Sequence, residues 1–350
     1  MRVLVIGGAG FIGSHIVEQL VADDHEVAVL DSLHPAAHRS PPAHLDSRVE
    51  YHWKDVKDAA TVAALVRGAD AVCHQAAMVG LGIDFSDVTD YVNENDLGTA
   101  VLLRSLHETA WTGRIVLASS MVVYGEGLAR CSQHGVMRPP PRPIEALEYG
   151  QFEPLCLQCG RPLEPISVTE DVPVDPRNVY AATKLHQEHL CNAFAREHLG
   201  VTVAALRYHN VYGPKMPRNT PYAGVASIFR SAYERGDAPH VYEDGGQLRD
   251  FIHVRDIARA NILALTHGHD AVGAFNIATG SPRSVLEMAT QLGLAFGTDG
   301  PEPKVTGEWR TGDVRHVFAA PTRATELLDF RAEVNFDDGM REFATAELRP

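Results

Sequence analysis

Long hydrophobic runs are missing from this 350-residue chain, and none approaches the ~18 apolar residues that a membrane-spanning helix needs. The opening Met1-Arg2-Val3-Leu4-Val5-Ile6 leads straight into a glycine turn, without the basic stretch and cleavable apolar core of a signal peptide. A cytoplasmic location is the expectation. Positive charge is scarce: 31 Lys and Arg face 45 Asp and Glu, a net −14, which excludes general affinity for nucleic acid polymers or anionic membranes. Cysteine is sparse and odd in number, five in all, which argues against a secreted disulfide framework. Internal repeats and low-complexity tracts are also missing. What is present is ordinary globular composition, 45% hydrophobic and 22% charged, with length enough for about two domains.

The first 130 residues alternate short apolar runs with longer helical patterns. Strands are predicted at Arg2–Ile6, Glu26–Asp31, Ala69–His74 and Gly113–Ser119, with helices at Phe11–Ala22 and Val88–Thr109. Strands alternating with helices imply βαβ units and a parallel sheet covered on both faces. Between Tyr124 and Tyr180 the pattern breaks; nine prolines and three cysteines mark a largely irregular insertion. A helix near Val179–Leu199 and a strand near Val201–Leu206 follow. Shorter helical patterns at Tyr222–Arg235, Arg255–Thr266 and Ser284–Leu292 suggest a smaller mixed part closing over the C-terminal edge of the sheet.

Gly7-Gly8-Ala9-Gly10-Phe11-Ile12-Gly13 lies between the first strand and the first helix. Gly7 permits a tight turn, Gly10 lets a pyrophosphate approach the backbone, and Gly13 lets the helix pack closely. The helix N-terminus adds unpaired N–H groups and partial positive charge. Asp31 ends the second strand 18 residues after Gly13, where a carboxylate accepts hydrogen bonds from a ribose diol and repels a 2′-phosphate. The expected cofactor is NAD rather than NADP.

Tyr180 and Lys184 stand four residues apart, on one face of a helix. A phenol titrates near pH 10; a neighbouring Lys⁺ and a cationic nicotinamide both favour phenolate, which predicts a base working near neutrality. Ser120 follows the predicted strand Gly113–Ser119 at its C-terminal end, where open α/β sheets hold ligands, and its hydroxyl suits a substrate oxygen. Taken alone, each motif also fits an ordinary turn or an exposed helix pair.

Together these residues resemble an extended short-chain dehydrogenase/reductase of the NAD-dependent nucleotide-sugar epimerase/dehydratase family, over about residues 1–335. The resemblance also rests on Lys54-Asp55-Val56, His74-Gln75-Ala76-Ala77, Asn95-Asp96-Leu97-Gly98-Thr99, Arg207-Tyr208-His209-Asn210-Val211-Tyr212-Gly213-Pro214, the run from Gly246 to Val254, Phe275-Asn276-Ile277 and Arg310-Thr311-Gly312-Asp313. It implies a Rossmann-type doubly wound parallel sheet with a smaller mixed α/β substrate domain. The corresponding boundaries are 1–206 for the NAD-binding part, with the insert at 125–175, and 207–350 for the nucleotide-sugar part, with pieces of 238–270 returning to the first. Implied cofactor contacts come from Gly7, Gly10, Phe11, Ile12, Gly13, Asp31, Asp55, Val56, Ala76 and Asn95, besides Tyr180 and Lys184. Implied substrate contacts come from Ser120, Met121, Asn210, Arg249, Arg310 and Asp313, the arginines forking onto a diphosphate. A homodimer through the helices at Val88–Thr109 and Val179–Leu199 is implied as well.

The residues after Ser120 discriminate among reactions. Dehydratases of this family carry an Asp-Glu pair there and related decarboxylases a Glu at the second place; here stand Met121 and Val122, which carry no proton. The expectation is therefore a 4-epimerase acting on a dTDP-6-deoxyhexose or a UDP-hexose. A 4-ketoreductase or decarboxylase is the alternative, and a non-catalytic NAD-binding sensor a more distant one.

Cys131-Ser132-Gln133-His134 and Cys156-Leu157-Gln158-Cys159 form two knuckles separated by 21 residues, a pattern that suits four tetrahedral ligands of a structural zinc. Cys73 and Cys191 read as small buried hydrophobes. A knuckle-bearing loop between Ser120 and Tyr180, together with Asn219-Thr220-Pro221-Tyr222, is similar to a subgroup of bacterial dTDP-L-rhamnose 4-epimerases. His209 stands where the family usually has an aromatic such as Phe.

Overall fold

The computed structural model of the chain describes residues 1–350 except 36, 39, 41, 43, 44, 81–83, 219–223, 268–270, 298, 299, 311 and 350. The stretch Asn219–Tyr222 and Thr311 therefore lie outside the described residues. No helix among the described residues is long and apolar enough to cross a membrane.

Five strands open the fold: β1 (Arg2–Ile6), β2 (Glu26–Asp31), β3 (Glu50–Trp53), β4 (Ala71–His74) and β5 (Gly113–Ser120). With the later strands Val201–Tyr208 and Gly273–Ile277 they form one seven-stranded sheet, parallel at every pairing. Its order runs from Gly273–Ile277 through Val201–Tyr208, β5, β4 and β1 to β2 and β3. Strand order reverses at β1, which lies between β2 and β4. A doubly wound sheet opens its crevice at that place, outside the strands' carboxyl ends.

The unbroken apolar run of β1 is explained by burial on both faces: Val3, Leu4 and Val5 are fully buried and Ile6 almost so. Period-two alternation divides them between two cores. Val3 and Val5 pack with Ile16, Val17 and Leu20 of α1 (Phe11–Ala22) and with Ile257. Leu4 and Ile6 pack with Leu102, Leu106, Cys191 and Phe194 on the other face. At roughly 1.5–3 kcal/mol for each large buried side chain, these two layers dominate the stability of the sheet. Cys73 and Cys191 are both fully buried, as small hydrophobes would be. The helix Val254–Thr266 packs on α1, and Gly273–Ile277 adds the edge strand, so the chain returns to the sheet over a stretch running past residue 270. A third core joins the helices Val225–Glu234, Val285–Phe296 and Phe336–Thr345 into the smaller part.

Two local expectations need correction. The predicted helix over Val88–Thr109 is interrupted: α-helical Val88–Tyr91 and Gly98–Glu108 flank a π-helical segment, Val92–Leu97. Wider turns of this kind re-aim a side chain, here Asn95, into the protein. The insertion is also more regular than its prolines suggest. Leu128–Cys131 is the central strand of a three-stranded antiparallel sheet between Gly135–Met137 and Glu164–Ile166, and Ile144–Glu148 is helical. Ala129, Cys131, Cys156 and Leu163 form a small core of its own.

Candidate active site

A cleft of about 1430 Å³ crosses the C-terminal ends of the central strands. At one end lies the glycine turn. Gly7 has φ +81°, and a Cβ built there would stand 2.6 Å from the Ala76 amide nitrogen. A Cβ on Gly13 would run into the Gly7 carbonyl oxygen and stand 2.8 Å from Gly8 Cα. The backbone is thus packed to the limit that only glycine allows. No side chain caps α1 and its first turn carries no acid, which leaves its amide end to an anion. Both features fit a dinucleotide pyrophosphate.

Asp31 organises this turn. Its Oδ2 accepts from the Ala9 amide at 2.9 Å and its Oδ1 from Leu33 at 2.8 Å, with His38 Nε2 3.6 Å away. Arg349 holds the turn from outside: Nη1 donates to the Ala9 carbonyl and Nη2 to Ser14 Oγ at 3.0 Å. Sequence reasoning did not single out Arg349. It lies 340 residues from Ala9, and no local motif marks it.

Tyr180 is set by the start of its helix. Asn178 Oδ1 accepts from the Ala181 amide at 2.8 Å, capping Val179–Glu197 and placing Tyr180 in the first turn. The ring leans on Tyr91, centroids 6.1 Å apart, and the Tyr180 and Ser120 side chains line the same cleft. Burial pushes the phenol up to about 12, with only Ser120 opposing. Lys184 does not offset this. Burial pushes its ammonium down to about 8, against Glu188 and Asp96, and Nζ donates to Gln187 Oε1 at 2.8 Å. The near-neutral phenolate expected from spacing is therefore not a property of these two side chains alone.

Behind the cleft wall a buried network fixes these groups. Gln187 Nε2 donates to Thr99 Oγ1 at 2.6 Å, and Thr99 also contacts His74 Nε2 at 3.1 Å. Asn95 lies in this layer, fully buried, and is not among the cleft-lining residues. It accepts from the Met78 amide at 2.7 Å and donates to Met78 O at 3.0 Å and to Thr183 Oγ1 at 2.9 Å, bracing a wall segment and the Tyr180 helix together. Glu188 holds Arg207 through two contacts of 3.0 and 2.8 Å and accepts from Ser119 Oγ, directly before Ser120.

The other expected site residues line the same cleft: Phe11, Ile12, Asp55, Val56, Ala76, Ser120, Met121, Asn210, Arg249, Arg310 and Asp313. Arg249 rests on three carbonyls, those of Leu248, Arg315 and Val314, at 2.8, 2.9 and 2.6 Å. Arg310 lies 4.9 Å over the Tyr242 ring, and Asn210 Oδ1 is buried without a partner among the described residues. Burial pushes Asp313 up despite Arg249 and Arg310 beside it. His209 is buried with both ring nitrogens unpartnered among the described residues, and burial with the Arg249 charge pushes it down to about 3, so the ring is neutral.

Outside the cleft, the four knuckle residues converge. The ligand atoms of Cys131, His134, Cys156 and Cys159 all lie within 4.8 Å of one another. Cys131 Sγ is 3.5 Å from His134 Nδ1 and 3.6 Å from Cys159 Sγ, and Cys156 Sγ is 3.4 Å from His134 Nδ1. A tetrahedral zinc with Zn–S of ~2.3 Å and Zn–N of ~2.0 Å sets ligand–ligand edges of about 3.5–3.8 Å, close to these three distances.

A model of the NAD-dependent epimerase/dehydratase family matches residues 3–155 and 156–278. A dTDP-L-rhamnose 4-epimerase of Burkholderia thailandensis is 33% identical over 98% of this chain and 94% of its own. Among solved structures, a UDP-glucose 4-epimerase of Thermus thermophilus in complex with NAD superposes with a TM-score of 0.77 at 30% identity, covering 98% of both chains. A UDP-N-acetylglucosamine 4-epimerase of Methanobrevibacter ruminantium in complex with UDP-N-acetylmuramic acid superposes with a TM-score of 0.78 at 28% identity, covering 98% of this chain and 96% of its own.

Proposed function

Because the chain belongs to the NAD-dependent epimerase/dehydratase family, we propose that its cleft inverts C4 of a nucleotide-bound sugar, a dTDP-6-deoxyhexose or a UDP-hexose. One observation carries the choice of reaction. Ser120 and Tyr180 line the same cleft as the glycine turn, and the two residues after Ser120 are proton-free Met121 and Val122. That set can move a proton at one carbinol oxygen, whereas elimination needs a further acid and base.

NAD, when bound, would supply a reversible hydride acceptor for C4. The amide end of α1, Asp31, Asp55, Val56 and Ala76 would hold it. Ser120 orients the C4 hydroxyl, and Tyr180 accepts its proton and later gives it back. Lys184 positions the helix face and supplies positive charge nearby. Asn210, Arg249 and Arg310 anchor the diphosphate while the planar 4-keto sugar turns over. Asp31, with its negative charge at the ribose position, favours a tightly kept NAD over an exchanging NADP.

The purified protein, given dTDP- and UDP-hexoses without added cofactor, is expected to invert C4 of at least one, followed by NMR. Net consumption of added NADH with no inversion of any of them overturns this in favour of a ketoreductase.

We assign the cluster of Cys131, His134, Cys156 and Cys159 to a structural zinc, which would tie the insert's two loops to its small sheet. Metal analysis should find about one equivalent in wild type and a loss in Cys156→Ser; less than about 0.2 equivalents in the wild type defeats the assignment. The domain division at about residue 206, a cytoplasmic location and a homodimer complete the reading. Exposed Val92 and Leu97, 45% and 47% accessible, support pairing through the helical run Val88–Glu108, and light scattering of the purified protein tests it.

A further inference from the structure

The insert and the diphosphate end of the cleft are joined by buried charge. Arg142, in the insert, pairs with Glu243 at 2.8 Å while its other nitrogen donates to the Asp313 carbonyl at 2.7 Å; the Arg142 and Glu243 side chains are 4% and 2% exposed. Glu153, also in the insert, accepts from Arg315 through Nε at 2.9 Å and Nη2 at 2.5 Å, and its second oxygen lies 2.9 Å from His316 Nε2. Arg315 in turn contacts Glu243 at 2.7 Å. Neither Arg142, Glu153 nor Arg315 lines the cleft, whereas Glu243, Asp313 and Arg249 do.

The direction of the coupling follows from Arg249. Its guanidinium makes no side-chain ion pair within 4 Å among the described residues; it rests on backbone carbonyls, two of them Val314 and Arg315. Wherever the 313–316 backbone sits, Arg249 sits. Insert residues hold that backbone through Arg142 on the Asp313 carbonyl, Glu153 on the side chains of Arg315 and His316, and Glu126 Oε2 on the Arg315 amide at 2.9 Å, beside Asp244 on Arg315 and the Leu248 amide on His316 from outside the insert. Glu153 stands three residues before Cys156, on the segment that carries the second knuckle. Charge-assisted bonds in a buried setting are the stronger kind, and removing one from this cluster shifts Arg315 toward its other partners, Glu243 and Asp244, and with it the backbone it bears.

We propose that the insert is a positioning element for the nucleoside-diphosphate end of the substrate site: through Arg142 and Glu153 it sets the height of the 313–316 backbone and hence the aim of Arg249. This rests on the nucleotide-sugar reading above. It predicts that loosening the insert weakens the hold on the nucleoside diphosphate while leaving the NAD cradle, at the other end of the cleft, untouched.

The test compares Glu153→Gln, Arg142→Gln and wild type with Arg255→Gln, which breaks an exposed two-pronged pair to Glu342 far from Arg249 and serves as control for general loosening. Titration calorimetry with UDP and with dTDP reads the diphosphate site, NAD released on denaturation reads the cradle, and turnover of the preferred sugar nucleotide separates KM from kcat. The expected result is a fivefold or greater weakening of nucleoside-diphosphate binding in both insert variants. KM should rise in step, with kcat within twofold, NAD content unchanged and the control at wild-type affinity. Either insert variant binding within twofold of wild type overturns the proposal. So does an equal loss in Arg255→Gln, or a parallel loss of NAD, since both mean general loosening. Wild-type protein that binds neither UDP nor dTDP overturns the epimerase reading, and this inference with it; wild-type binding with unaltered variants overturns the inference alone.

Discussion

Gly13→Ala probes the dinucleotide cradle most directly. The added Cβ meets only backbone: the Gly7 carbonyl oxygen within a forbidden distance, Gly8 Cα at 2.8 Å and Gly7 C at 2.9 Å. No rotamer relieves this, because a methyl group has none. Restoring ordinary contacts means moving the N-terminal end of α1 away from the turn by roughly 1 Å. The helix is not free to move whole, since Ile16, Val17 and Leu20 are buried in the first core. Overfilling of this kind costs about 1–3 kcal/mol. If the strain is relieved by displacing the amides that face the pyrophosphate, the same energy appears in NAD affinity as roughly 5- to 150-fold, at 1.4 kcal/mol per decade. The assay is the NAD content of purified protein after denaturation, with a dissociation constant from titration of the stripped protein and circular dichroism to establish folding. Gly300→Ala is the control, because a Cβ there meets nothing closer than 3.6 Å. A folded Gly13→Ala protein that holds NAD within twofold of wild type refutes the reasoning.

Two further outcomes are expected. Tyr180→Phe should lower kcat for C4 inversion by about 10²–10⁴-fold while NAD content stays at the wild-type level, read by NMR and by the cofactor assay; inversion within tenfold of wild type counts against a proton-transfer role. Lys184, whose ammonium burial pushes down from 10.5 to about 8, makes folding pH-dependent. The unfolded chain binds more protons than the folded one between those values, so its share of stability rises with pH from about 8 to 10.5, by about 3 kcal/mol across the window. Tyr180, pushed up from 10.0 to about 12, acts with the opposite sign above pH 10. Urea unfolding at pH 7.5 and pH 9.5 should therefore show wild type gaining on Lys184→Met at the higher pH, and a constant difference between the two would contradict a buried ammonium.

Much of this site was legible because its signals are local. β1 reads as a continuous apolar run since both of its faces are covered, and the glycine turn is contiguous with it. Tyr180 and Lys184 are neighbours on one helix whatever the rest of the chain does. What sequence reading missed is carried by long-range packing. β3, Glu50–Trp53, is an edge strand without fully buried residues, so no apolar run announces it. The insert's flanking strands are three residues long, too short for any period to register. Arg142, Glu153 and Arg349 act on residues 171, 162 and 340 positions away, and nothing near them in the chain marks the partner.

The protonation of Tyr180 is the clearest case, because there even the sign was decided by tertiary structure. Spacing places an ammonium on the phenol's helix face, and charge alone argues for phenolate. Burial acts on both groups together, raising the phenol and lowering the ammonium, and the ammonium is turned toward Gln187. The same burial that keeps the phenol protonated lowers the effective dielectric around it, so a cation brought beside it counts for more there than in water. On the proposed reading, a cationic nicotinamide beside Tyr180 would oppose the burial that keeps the phenol protonated, so proton abstraction by Tyr180 would depend on the oxidised cofactor.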